Sequence, residues 1–147
     1  MSFQFVVALS LAASPIPSPS ADAAASAFLH SFKMMDERTF DSYFDPQVTM
    51  FFPDGPFPDT RVEGREAVLA AFHRLFATVR ERGRTQLNVS PLDRRIQLFG
   101  NTAIVSFQLE DSETLGRRSI VMQHGAEGWR IVHFHASTVE KEVPEKR

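Results

Sequence analysis

The sequence predicts an α+β fold, with helices first and a long antiparallel sheet after them. Two changes of pattern carry that prediction. Between Asp22 and Arg82 apolar residues recur at helical spacing, and after Gly83 the period falls to two. The turn chemistry agrees: Gly100-Asn101 and the run Gly125 to Gly128 stand between alternating segments, as hairpin turns do. The chain has 147 residues. That fits one domain at roughly 150 residues per domain and permits a core without disulfide staples.

The first element is not part of that domain. Phe3 to Ala13 is an apolar stretch ending in small residues, and Pro15, Pro17 and Pro19 follow it. Alternating prolines neither continue a helix nor sit in a central strand. The pair reads as an export signal and linker over residues 1–21, although the first basic residue is Lys33. A frayed apolar tail on a cytoplasmic protein is the alternative.

From Asp22 a helix is expected, with Ala24, Phe28, Phe32 and Met35 on one stripe and Ser20 or Asp22 as cap. Asp36 caps a second, short helix from about Glu37 to Tyr43, which Asp45-Pro46 ends. Val48 to Phe52 is β-branched and aromatic and reads as a strand. Pro53 to Thr60 holds three Pro and one Gly and reads as a loop. The longest helix runs from Arg65 to about Arg82, with Val68, Phe72, Leu75, Phe76 and Val79 as its apolar stripe and Gly83 past its end. Four strands follow: Leu92 to Phe99, Thr102 to Glu110, Gly116 to His124 and Trp129 to Val139. The first hairpin pairs Leu98 with Ala103, Ile96 with Val105 and Arg94 with Phe107. A tight second hairpin pairs His124 with Trp129, Met122 with Ile131, Ile120 with His133 and Arg118 with His135. The domain spans residues 22–140, and residues 141–147 form a charged tail.

Composition excludes several chemistries. There is no Cys, hence no thiol nucleophile, disulfide or Cys-ligated metal. A net charge of −2 gives no electrostatic case for nucleic acid as partner. No apolar run reaches the ~20 residues that span a bilayer, so stable membrane insertion is not expected. Walker A, Gly-x-Gly-x-x-Gly, Gly-x-Ser-x-Gly and His-Glu-x-x-His motifs are missing. No cofactor is indicated. Fourteen Phe against one Tyr and one Trp suggest an apolar interior, with or without a lined cavity.

The stretch Trp129 to Ser137 is the most informative. Period two puts Trp129, Ile131, His133, His135 and Ser137 on one face. With Arg118 beside them, two imidazoles opening into a Phe-lined hollow would attract an anion such as a carboxylate. His135 is a weak candidate for acid–base catalysis. Zinc would need a third ligand, and His124, His30 and His73 are not near at hand, so no metal site is assigned. Structural histidines bonded to backbone or to Tyr43 would carry the same pattern. Asp36, Glu37, Asp41 and Asp45 read as caps and solvated faces, Arg61 to Arg84 as a basic helix exterior, and Asn88-Val-Ser90 as a chance glycosylation triplet.

The element order and the segments Val48 to Pro53, Val62-Glu-Gly64, Phe72-His-Arg74, Leu98-Phe-Gly100 and Trp129 to His135 resemble the nuclear-transport-factor-2-like superfamily, and within it the SnoaL-like proteins. They are also similar to the association (hub) domain of calcium/calmodulin-dependent protein kinase II. The resemblance implies a cone of helices on a curved antiparallel sheet, a cavity at the wide end, and homodimers through the sheet face. In hub-like proteins the cavity holds arginines, one directly after the last strand's second His. Here Ala136 occupies that place, and Arg117 or Arg118 matches the arginine of the preceding strand. Three functions remain open. One is a non-catalytic protein binding a small, partly apolar, anionic ligand through His133, His135, Arg118, Trp129, Phe51 and Tyr43. The others are a cofactor-free isomerase, cyclase or hydrolase using the same pocket, and a homo-oligomeric assembly module.

Overall fold

The computed structural model describes residues 19–142. The apolar stretch 3–13, the prolines at 15 and 17, and residues 143–147 lie outside them. The elements are α1 (Ala21–Met34), α2 (Glu37–Asp41), β1 (Phe44–Phe51), β2 (Val62–Glu63), α3 (Arg65–Glu81), β3 (Leu92–Phe99), β4 (Thr102–Glu110), β5 (Thr114–Gly125) and β6 (Gly128–Glu140). Together they form a cone-shaped α+β fold, helices packed on one side of a six-stranded sheet of order β2-β1-β6-β5-β4-β3. None of the described helices is long and apolar enough to cross a membrane.

The caps follow the sequence. Ser20 Oγ accepts from the Ala23 amide at 3.1 Å to start α1, and Asp36 Oδ1 accepts from Thr39 at 3.3 Å to start α2. Past α3, Gly83 takes a φ of 77°, and the Gly83 and Arg84 amides reach back to the carbonyls of Arg80 and Val79. That left-handed turn suits glycine because it has no Cβ to clash.

The sheet departs from expectation in three places. First, it is mixed rather than antiparallel: β1 pairs parallel with β6, and the other neighbours pair antiparallel. The long connection through α3 and four strands lets β6 arrive in the same direction as β1. Second, α2 stops at Asp41, and Asp45-Pro46 falls inside β1 instead of ending a helix. The β1–β6 ladder is interrupted between Phe44 and Thr49, so the proline's missing N–H costs no ladder bond there. Third, Val62–Glu63 forms a short edge strand on Thr49 and Met50. In the first hairpin, Leu98 faces Ala103 and Ile96 faces Val105, as expected. The ladder then shifts before Arg94 meets Phe107, around Asp93 with its φ of 49°.

The phenylalanines fill the space between helices and sheet. Phe40 is fully buried. Its ring lies 4.9–5.5 Å from those of Phe28, Phe32, Phe44, Phe72 and Phe76. Offset and edge contacts at these distances add to area burial. Two of these rings, Phe32 and Phe72, also face a cavity that the cluster does not fill.

Candidate functional site

The inner surface of the sheet is decided by one residue. Near the turn, His124 faces Trp129 and Met122 faces Ile131, as a tight hairpin requires. The register then shifts between Val121 and Met122, so Val121 faces His133, Ser119 faces His135 and Arg118 faces Ala136. Val132 is the extra residue, a β-bulge. Because side chains alternate, one inserted residue reverses every face beyond it. Phe134 and Ala136 therefore turn inward and are buried, while His133 is half-buried and His135 exposed on the outer face. The expected inward pair of imidazoles is corrected on this ground, as are the pairs Ile120–His133 and Arg118–His135.

A cavity of about 210 Å³ opens between the helices and the sheet. Its helical wall is Phe32 from α1 with Phe72 and Leu75 from α3. The sheet supplies Met50, Leu109, Arg118, Phe134 and Ala136. The mouth lies between Phe52, Pro53 and Phe57 on one side and Leu87, Asn88 and Val89 on the other. Phe52 and Phe57 stack at 4.9 Å, and Phe52 leans on Phe72 at 5.3 Å.

Arg118 is the charge in this lining, and Asn88 is its other polar side chain. Arg118 Nη1 donates to the carbonyls of Arg117 and Ser137, both at 3.0 Å. Among the described residues no carboxylate pairs with it. Burial lowers its pKa from the ordinary value, yet an arginine stays charged in a protein. Arg117, the alternative, points to the outer face and is exposed.

The outer face carries a different group. His133 Nδ1 bonds Thr49 Oγ1 at 2.8 Å, and the Phe51 ring lies 6.2 Å from His133 and 5.6 Å from His135. Burial first, then His135 and Arg61, hold the His133 pKa below its usual value. Phe51 thus belongs with the imidazoles, outside the cavity. Trp129 and Tyr43 line a third place, a surface groove of about 500 Å³ against α1. There the Trp129 indole donates to the Pro19 carbonyl at 3.1 Å and packs 5.1 Å from His124. Burial raises the Tyr43 pKa. Of the six expected ligand-binding residues, then, the cavity receives Arg118. His133, His135 and Phe51 share the outer face, and Trp129 and Tyr43 share the groove.

Sequence reasoning missed the cavity mouth. Phe52, Phe57 and Asn88 sit in or beside loops, where periodicity says nothing. It also missed Gly116, although a glycine inside a strand is a recognised signal of close approach.

An open-ended cone of helices on a curved sheet, with one cation in an aromatic hollow, defines a small-molecule-sized cavity fold. A family model for the SnoaL-like domain matches residues 22–140, and the chain belongs to that family. Solved structures agree on the fold. A candidate dehydratase of the nuclear-transport-factor-2-like family from Streptomyces avermitilis is 20% identical, with a TM-score of 0.65, over 80% of this chain and 92% of that one. A candidate calcium/calmodulin-dependent protein kinase type II association domain from Thiobacillus denitrificans is 23% identical, with a TM-score of 0.63, over 86% and 99%. A candidate ketosteroid isomerase from Parabacteroides distasonis is 19% identical, with a TM-score of 0.57, over 80% and 84%. No curated protein matches the chain in sequence.

Proposed function

We propose that this protein binds a small, largely apolar ligand carrying one anionic head, and does so without catalysing its conversion. The carrying observation is the Arg118 guanidinium in a hollow walled, apart from Asn88, by rings and aliphatic side chains. A cation there favours an anion, because apolar side chains border it and no carboxylate among the described residues pairs with it. The volume of about 210 Å³ is below the ~300–1,000 Å³ of pockets for drug-sized ligands. The ligand is therefore closer in size to a substituted benzoate or a medium-chain fatty acid than to a sterol. An isomerase, cyclase or hydrolase would need a carboxylate or imidazole facing the reacting carbon. The described lining supplies an arginine and an asparagine.

The test is a thermal melt with benzoate, phenylacetate, hexanoate and a sterol, on the wild type and on Arg118→Met. Ligand at 100 times its Kd stabilises by about 2.7 kcal/mol. The acids are expected to raise Tm for the wild type and not for Arg118→Met, and the sterol to do nothing. Equal shifts for the two proteins would sink the reading.

A second reading stands beside it, self-association through the outer sheet face. Phe51, Ile104 and Val121 are half-buried apolar residues on that face, which no helix covers. The similarity to an association domain in fold points the same way. Export of the mature protein, proposed from the pattern of residues 3–19, would be tested by fractionating cells expressing the whole chain and a chain starting at residue 20.

A further inference from the structure

Gly116 is buried near the start of β5, opposite Thr138 in the β5–β6 ladder and two residues before Arg118. On one strand, residues i and i+2 share a face. The Arg118 side chain folds back along that face, over Gly116. A Cβ placed on Gly116 would lie 2.9 Å from Arg118 Nη1, 3.1 Å from Nη2 and 3.2 Å from Cζ. No atom but those of the guanidinium comes so near. The backbone does not demand glycine here, since Gly116 is not at positive φ. The atoms nearest that position all belong to one cationic group.

The guanidinium's bonds show what that seat does. Nη1 carries two protons, and two carbonyls accept from it, those of Arg117 and Ser137. Nε and Nη2 hold three more and meet no acceptor among the described residues. The Nε proton lies on the same side as Nη2, so those two nitrogens form a side-on fork matching the two oxygens of a carboxylate.

We propose that Gly116 is the positioning residue of the anion site: its bare Cα lets the guanidinium lie against the sheet with Nη1 tied to two carbonyls, which presents the Nε–Nη2 edge to the cavity as a carboxylate fork. The inference rests on the ligand-binding reading above and narrows it to ligands whose anionic head offers two oxygens side by side, as a carboxylate does. A methyl at residue 116 lifts the guanidinium off its carbonyls and turns the fork away. Inorganic phosphate also offers the fork two oxygens, but it has no apolar body to fill the hollow and binds more weakly than benzoate.

The experiment compares the wild type with Gly116→Ala by two readouts. The first is nitrogen-edited NMR of the arginine side chains, with the Arg118 signals identified by their loss in Arg118→Lys. Gly116→Ala is expected to shift the Arg118 Nε signal and to speed exchange of the Nη1 protons, with no ligand present. The second is binding of benzoate, of inorganic phosphate, and of benzyl alcohol as a neutral probe. Benzoate is expected to weaken about tenfold or more in Gly116→Ala, with benzyl alcohol unchanged. Unchanged Arg118 signals in Gly116→Ala overturn the proposal whether or not benzoate binds. Altered signals with no benzoate binding by the wild type would remove the ligand reading and leave the positioning role standing. If Gly116→Ala fails to fold, Gly116→Ala with Arg118→Ala is expected to fold, since the nearest contacts are gone. Failure of that rescue also overturns it.

Discussion

Arg118 stands opposite Ala136 across the β5–β6 ladder, one residue out of the register that Met122 and Ile131 keep near the turn. The offset is the width of one bulge at Val132, and it puts the arginine beside a methyl group instead of an imidazole. Deleting Val132 removes the extra residue and leaves His133 opposite Val121, Phe134 opposite Ile120 and Ala136 opposite Arg118, so the inner face keeps its residues. The deletion protein is expected to unfold cooperatively in a circular-dichroism melt. Inserting one further residue beside Val132 would instead turn Phe134 and Ala136 outward, and is expected to abolish that transition. A deletion protein without a cooperative transition would remove the bulge from the account.

Phe40 touches five other phenylalanine rings and is fully buried. Removing its ring leaves a cavity that a sheet on one side and two helices on the other cannot close. Phe40→Ala is expected to lose about 3–5 kcal/mol in denaturant unfolding, with the slope unchanged. A loss under about 1 kcal/mol would mean that the cluster collapses around the gap.

The His133 pKa is held below its ordinary value by burial, His135 and Arg61. The unfolded chain therefore binds this proton more readily than the folded one, and stability rises with pH. The contribution is intact above the ordinary histidine value of about 6.5 and is lost as pH falls through and below it. Replacing the ring by an amide keeps an acceptor for Thr49 Oγ1 and removes the titration. His133→Gln is expected to flatten the pH dependence of Tm between neutrality and pH 5 by about 1–3 °C. A steeper dependence in the variant would reverse the sign argued here.

Phe51 sits between the two imidazoles on the uncovered side of the sheet. Phe51→Glu adds charge where the second reading needs an apolar contact between copies. It should convert the associated species to a monomer in analytical ultracentrifugation, without changing carboxylate binding in the cavity on the opposite face. Persistence of the same sedimentation would place the association elsewhere or deny it.

Much of this molecule was legible in its sequence. The three helices, their caps at Ser20 and Asp36, the glycine past α3 and the four long strands follow from local chemistry, namely capping oxygens, periodicity and residues that tolerate a left-handed turn. Such signals act over a few residues and leave a mark in the order of residues. The family resemblance was readable for the same reason, since it rests on short apolar and turn segments. Arg118 was readable as a cation on a mostly apolar strand, though Arg117 beside it was equally eligible.

Tertiary structure alone decided which way the last strand faces. A bulge is a fact about two strands together, and nothing in Trp129 to Ser137 announces that Val132 will be left without a partner. From that one unpaired residue come the outward histidines and the inward Phe134 and Ala136, while unbroken alternation along β5 from Met122 and Ile120 turns Arg118 inward and Arg117 outward. The parallel pairing of β1 with β6 and the loops that frame the cavity mouth were likewise settled by packing. The physical reason is that periodicity reports which residues share a face only while the ladder is unbroken. Where it breaks, the burial of Phe134 against the helices fixes the register.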